Sequence, residues 1–327
     1  MPNRRSDDSQ GPDAGSEHPS HRPLPAALRG LPWELPHTFL GLDEESSPFE
    51  EARAVILPVP YEGTTSYGGG TRGGPRAILE ASRYVELYDQ ELDGEPVSAG
   101  IHTLPAFELT RAGSTEAMAE LEDAYGTLLD AIGPRFPVLL GGEHAVSAPA
   151  IRAHAARHSD RISVLQLDAH ADLRDGYEGA PWSHASFAFR CLDVADFVQV
   201  GIRAVSAEEI AVVRERSGKG LTVVWADEMW EDDAWMDRAL EALGNPVYLT
   251  VDVDYFDPSL VPSTGTPEPG GGAWYRTLRF LRRVFRERTV IGMDAVELAP
   301  TPGFHAPDFL VAKLIYKLIG YRFEEGV

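Results

Sequence analysis

The stretch Ile162-Ser163-Val164-Leu165-Gln166-Leu167 is a short run of mostly β-branched and leucine residues, and Asp168-Ala169-His170-Ala171-Asp172 follows it directly. The first half predicts a buried strand; the second puts two carboxylates and an imidazole just beyond that strand's carboxyl end. Comparable runs at Ala54–Pro58, Pro137–Leu140, Phe197–Val200, Leu221–Trp225, Val247–Val251 and Val290–Met293 predict further strands, with a weaker eighth at Ser98–Ile101. Amphipathic stretches alternate with them and predict helices over Pro75–Tyr88, Ser114–Ile132, Ser147–His158, Ala207–Arg216, Asp233–Leu243, Trp274–Glu287 and Pro307–Leu318. This alternation is the pattern of βα units around a largely parallel sheet, so the predicted class is α/β. No Pro/Ser-rich linker or fixed-period repeat interrupts it, and residues 37–327 are expected to form a single domain.

Residues 1–36 are rich in Pro, Ser, His, Asp and Gly and predict a disordered tail, because they bury too little apolar surface to offset chain entropy. Leu31, Trp33 and Leu35 are its apolar exceptions and its candidate anchors. Lys and Arg total 29 against 51 Asp and Glu, a formal net charge of −22 that argues against a nucleic-acid partner. The single cysteine, Cys191, excludes an internal disulfide and a Cys-rich zinc site and reads as a buried structural thiol. No apolar run is long enough for a transmembrane helix, and no apolar segment follows Arg4-Arg5 to complete a secretion signal. The expectation is a cytoplasmic protein with no membrane partner.

Chemistry concentrates at three strand ends. In Asp168-Ala169-His170-Ala171-Asp172, an extended backbone would turn positions i, i+2 and i+4 to one face. Asp252-Val253-Asp254 repeats the pattern after Val247–Val251, and Gly141-Gly142-Glu143-His144 forms a glycine-permitted turn after Pro137–Leu140. Each motif alone reads first as a helix cap or a packed histidine. Together they gather four Asp side chains at one edge of a sheet, where ligands of open α/β folds bind, and such crowding calls for cations. Four Asp and two His without Cys form a hard donor set suited to Mn²⁺ and its neighbours. Two divalent ions against four carboxylates and a bridging hydroxide leave a net charge of about −1, which a guanidinium would neutralise.

The strings GGEH, DAHAD, SHA and DVDYFDP, followed by STGTPEPGG and VELAP, resemble the signature set of the ureohydrolases, the arginase and agmatinase family, from Val55 to Tyr321. The resemblance implies a three-layer α/β/α sandwich around a mostly parallel eight-stranded sheet, with two Mn²⁺ per subunit. It implies that His144, Asp168, Asp172 and Asp252 hold one ion, and His170, Asp168, Asp252 and Asp254 the other. It also implies that Asp172 orients a metal-bridging hydroxide for attack on a guanidinium carbon, that His184 moves a proton to the leaving amine, and that Glu297 pairs with the guanidinium. The partner is then a small cationic guanidino compound, and the family's trimers and hexamers imply a homo-oligomer.

The loop Leu173-Arg174-Asp175-Gly176-Tyr177-Glu178-Gly179 looks closest to agmatinases, and Asp175 and Glu178 are its candidate contacts to an ammonium tail. Agmatine hydrolysis to putrescine and urea is therefore the expected reaction, with guanidinobutyrate, arginine or another guanidine as alternative substrates. A single-zinc deacetylase shares an Asp-x-His pair, but His144 and the Asp252/Asp254 pair argue for a second ion. The non-enzymatic alternative is a regulatory subunit, against which stands the full set of candidate residues. The segment Gly68-Gly69-Gly70-Thr71-Arg72-Gly73-Gly74-Pro75 lacks the Gly-Lys-Ser/Thr ending of a phosphate loop and reads as structural, at a site rim or a subunit contact.

Overall fold

The computed structural model describes residues 34–324. The expected tail lies outside the described residues except for Glu34, Leu35 and Pro36, as do the candidate anchors Leu31 and Trp33; Leu35 is exposed. One compact unit begins at Leu35.

Its centre is an eight-stranded sheet built from β1 (Ala54–Val59), β2 (Ile101–Thr103), β3 (Phe136–Gly141), β4 (Ile162–Leu167), β5 (Ala195–Ile202), β6 (Leu221–Trp225), β7 (Val247–Asp252) and β8 (Val290–Val296). The order across the sheet is β2-β1-β3-β8-β7-β4-β5-β6, and every pairing is parallel. Burial on both faces explains why the strands read as near-continuous apolar runs. In β1, Ala54 and Ile56 join one core while Val55, Leu57 and Val59 join the other. The first core is closed by α1 (Gly74–Ser82), α6 (Ala234–Ala242), α7 (Trp274–Glu287) and α8 (Ala306–Arg322). The second is closed by α2 (Ser114–Ile132), α3 (Ser147–Ala155) and α4 (Ala207–Arg216); a one-turn α5 (Glu228–Glu231) follows β6. The architecture is thus an α/β/α sandwich. No helix among the described residues is long and apolar enough to cross a membrane.

Among the elements whose bounds differ from expectation, two shift for a plain local reason. Pro96 starts a 3₁₀ turn over Pro96–Ala99, and Gly100 follows at φ 75°, so the edge strand starts only at Ile101. The helix expected to reach Tyr88 stops at Ser82, and the chain beyond it is drawn onto α8, where buried Asp89 takes two 2.9 Å bonds from Lys317 Nζ.

The register brings the site together. Leu167 pairs with Val251, Asp252 with Val296, and Leu140 with Ala295. The carboxyl ends of β3, β8, β7 and β4, the four central strands, therefore sit side by side.

Candidate metal centre and substrate cavity

His144, Asp168, Asp172, Asp252, Asp254 and Glu297 are all buried, and His170 is partly so. The structure brings the six expected ligands together, though not by simple extension. Strand β4 ends at Leu167, Asp172 adopts φ 52°, and Asp254 lies in a 3₁₀ turn over Val253–Tyr255. Short local bonds keep the side chains convergent: Asp168 Oδ1 accepts His170 N–H at 2.6 Å, Asp252 Oδ1 accepts Asp254 N–H at 2.8 Å, and Asp254 Oδ1 accepts Ala169 N–H at 2.9 Å. The left-handed backbone at Asp172, and at Glu297 with φ 65°, costs on the order of 1 kcal/mol or more each, and such cost concentrates where function fixes a side chain.

His144 is the clearest test of whether this cluster fits a metal. Its Nδ1 is buried and has no hydrogen-bond partner, yet Asp168 Oδ2, Asp252 Oδ2 and Asp172 Oδ2 stand 3.1, 3.1 and 3.3 Å away. Donors held about 2.2 Å from one ion at right angles are about 3.1 Å apart, so the spacing is that of ligands sharing a centre. Beyond the ring, Nε2 meets Thr250 Oγ1 at 2.8 Å, and the Thr250 hydroxyl donates to Asp294 Oδ1 at 2.6 Å. Because that hydroxyl hydrogen is spent on Asp294, His144 must donate from Nε2, and in the neutral ring this leaves the lone pair on Nδ1 toward the carboxylates. The second histidine, His170, places Nδ1 2.8 Å from Asp254 Oδ2 and 3.7 Å from Asp168 Oδ1. Two groups, His144 with Asp168 and Asp172, and His170 with Asp168 and Asp254, each have the spacing to hold an ion, and Asp168 belongs to both.

The electrostatics agree. Burial, then the charge of Asp168, pushes the Asp172 carboxyl up to about 7, and burial with Asp254 and Asp168 holds Asp252 well above the carboxylate range. Burial works to lower His170, but Asp254, Asp168 and Asp172 outweigh it and raise the ring to about 11. Without a cation, the cluster can be neutralised only by protons.

A cavity of about 290 Å³ opens over this cluster, lined by His144, His170, Asp172, Asp252 and Asp254 on its floor and by Glu297 and His184 on its walls. Glu297 follows β8 and accepts the backbone N–H of His144 through Oε1 at 2.6 Å; burial, then the Glu143 carboxylate, raises its pKa well above the ordinary range. His184 opens a 3₁₀ turn, stands edge-on to Tyr177 at 5.6 Å, and is lowered to about 4 by burial and then by the charges of His170 and His144.

Asp175 and Glu178 do not line the cavity. Positive φ at Gly176, Glu178 and Gly179 turns that loop outward, both acids are exposed, and Asp175 pairs with Arg190. The loop contributes Arg174 and Tyr177 instead. Sequence reading also missed Glu209, a buried carboxylate on the cavity wall. Its one sequence signal is the capping box Ser206-x-x-Glu209 after β5: Glu209 Oε2 accepts Ser206 N–H at 2.8 Å and Oε1 accepts Leu173 N–H at 3.1 Å. Gly68, the first residue of the glycine-rich segment, and Tyr67 before it also line the cavity.

The model of the Arginase family matches residues 52–320. An N(1)-aminopropylagmatine ureohydrolase of Synechocystis sp. is 41% identical, covering 88% of this chain and 94% of that protein. An agmatinase of Pyrococcus horikoshii is 31% identical over 88% of this chain and 98% of its own length. Among solved structures, the proclavaminate amidino hydrolase of Streptomyces clavuligerus superposes with a TM-score of 0.77 at 28% identity, covering 89% of this chain and 97% of that one. Family membership implies a binuclear metal site, which the carboxylate and histidine cluster fits. The chain belongs to the arginase family and is a ureohydrolase, a hydrolase of carbon–nitrogen bonds in linear amidines.

Proposed function

We infer that this chain removes urea from agmatine and, by preference, from agmatine extended by an N1-aminopropyl group, with two Mn²⁺ as cofactor. The observation that carries this reading is the convergence of the His144 and His170 groups on the floor of one cavity with Glu297 on its wall. The relatives at 41% identity named for the aminopropyl substrate support the extension; those named agmatinase, at 31–34%, support the shared unit.

His144, Asp168, Asp172 and Asp252 would hold one ion, and His170, Asp168, Asp252 and Asp254 the other. Bound there, the pair supplies Lewis acidity and activates water at neutral pH. Glu297 pairs with the planar guanidinium, whose N–H fork matches a carboxylate. Asp172, held by its left-handed backbone, orients the attacking water. Water adds to the guanidinium carbon and gives up a proton to His184, the bond from that carbon to the substituted nitrogen breaks, and His184 passes that proton to the departing amine. Urea and a primary amine leave. The test is urea release by manganese-reconstituted protein given N1-aminopropylagmatine or agmatine; turnover of at least one is expected, and release from neither overturns the reading.

A further inference from the structure

Glu143 is wholly buried beside the site, between Gly142 and His144, and has no part in the reaction described above. Its carboxylate takes three bonds from one short segment beyond β1: Oε2 accepts the N–H of Gly63 and of Thr64, each at 2.7 Å, and Oε1 accepts the Thr64 hydroxyl at 2.7 Å. Thr64 in turn faces His184. Its Oγ1 lies 3.2 Å from the His184 backbone N–H and 3.3 Å from Nδ1 of the same ring.

The direction of these bonds is fixed by counting hydrogens. With Glu143 ionised its carboxylate can only accept, so the Thr64 hydroxyl hydrogen goes to Glu143 and Oγ1 offers lone pairs alone to His184. Nδ1 must therefore carry a hydrogen, and in the neutral ring Nε2 is left as the base. The edge-on contact with Tyr177 holds the ring plane. When Nε2 takes up a proton, the bond from Nδ1 to Thr64 and the bond from Thr64 to Glu143 keep their direction and strengthen each other, so the buried carboxylate steadies the imidazolium through one intervening hydroxyl.

We propose that Thr64 and Glu143 are positioning residues that set the tautomer and orientation of His184, in the order Glu143, Thr64, His184. The proposal rests on the reading of His184 as the group that moves the proton to the leaving amine. It extends the site to the segment 61–64, which Glu143 also ties to the end of β3 through the two backbone bonds.

Thr64→Val separates this role from a purely structural one. It keeps the side chain's shape and leaves both backbone bonds to Glu143 in place, while removing the hydroxyl. Kinetics of the manganese-loaded Thr64→Val, Thr64→Ser and His184→Ala proteins, with metal content measured on each, form the experiment. Thr64→Val is expected to lose about 10²-fold in kcat, the low end for a misplaced general acid, with KM within about twofold and bound metal unchanged. Thr64→Ser, which restores the hydroxyl, is expected to recover most of that loss. Wild-type kcat in Thr64→Val beside a crippled His184→Ala overturns the relay alone, as does equal loss in the Val and Ser variants. Full turnover by His184→Ala overturns the reading of His184 and the relay with it.

Discussion

His144 donates Nε2–H to Thr250 Oγ1 at 2.8 Å, so in the neutral ring the nitrogen turned toward Asp168, Asp172 and Asp252 is the one with a lone pair. Asp294 enforces this by accepting the Thr250 hydroxyl at 2.6 Å, and Tyr248 steadies Asp294 with a 2.9 Å bond to its other oxygen. None of these three residues touches the cavity. Thr250→Val should leave the fold intact and weaken manganese binding by about 10–100-fold, the range for loss of a partner that orients a metal-binding histidine. Titration of metal-free protein with manganese reads the change directly; an unaltered affinity would show that the ring is held by packing against Phe187, on which it stacks at 3.8 Å.

Asp252 spans the two halves of the cluster, with Oδ2 3.1 Å from His144 and Oδ1 bonded to the backbone of Asp254. Asp252→Asn replaces an oxygen by an N–H₂ that repels cations. The expected outcome is fewer than one ion retained per chain after gel filtration, measured by elemental analysis. Retention of one full ion would assign Asp252 to a single metal.

The metal-free protein should lose stability as pH rises. Asp172 is lifted from an ordinary 3.8 to about 7, and His170 from 6.5 to about 11. A group whose folded pKa is raised contributes stability that is complete below its unfolded value and is lost as pH climbs through its folded value. Asp172 withdraws its contribution between about pH 4 and 7 and His170 begins to withdraw above about 6.5, so both act in the same direction. The Tm of chelated protein is expected to fall from pH 5 to pH 8, while manganese raises it most at the alkaline end. A flat profile without metal would mean that the carboxylates find other neutralisation.

The parts of the fold that were legible are those where one local rule dominates. Strands β4 and β6 begin and end where their β-branched runs do, and α2, α4 and α7 match their expected bounds. The edge strand moved because Pro96 and Gly100 override a weak apolar pattern, and α1 stopped early because a buried ion pair 228 residues away in sequence, Asp89 with Lys317, draws the chain off. The metal-binding residue types were visible as motifs, yet their convergence depends on the turn at Asp254 and the left-handed Asp172, neither of which alternation describes. Asp175 and Glu178 were misread because acidity is local in sequence while the direction of a loop is set by its glycines. Glu209 was invisible because it comes from the next strand's crossover, where its capping role explains its presence equally well.

Substrate choice must be made away from the guanidinium, since every candidate offers that group identically to Glu297. Besides the metal cluster, Glu297 and His184, the cavity is lined by Glu209, Arg174, Tyr177 and Tyr67. Arg174 is already engaged: Nε lies 3.6 Å from Glu209 Oε2, and the guanidinium sits 5.0 Å over the Tyr177 ring. A substrate carboxylate would have to draw Arg174 away from Glu209, whereas an ammonium would share the Glu209 carboxylate with Arg174 and meet the Tyr67 ring unopposed. Tyr67 lines the cavity yet is 85% exposed, which puts it at the opening, where a tail longer than four carbons is expected to meet it. A cation over an exposed aromatic ring is worth about 0.5–1 kcal/mol, a factor of roughly two to five in affinity. The expected order of kcat/KM is therefore N1-aminopropylagmatine, then agmatine, then arginine and 4-guanidinobutyrate, with Tyr67→Ala narrowing the gap between the first two by about two- to fivefold and leaving agmatine unchanged. Glu209→Gln should lower both amine substrates more than arginine. Steady-state urea assays of the manganese enzyme on the four compounds decide the matter: arginine or 4-guanidinobutyrate above agmatine would reverse the charge argument, and equal effects of Tyr67→Ala on both amines would remove Tyr67 from the selection of length.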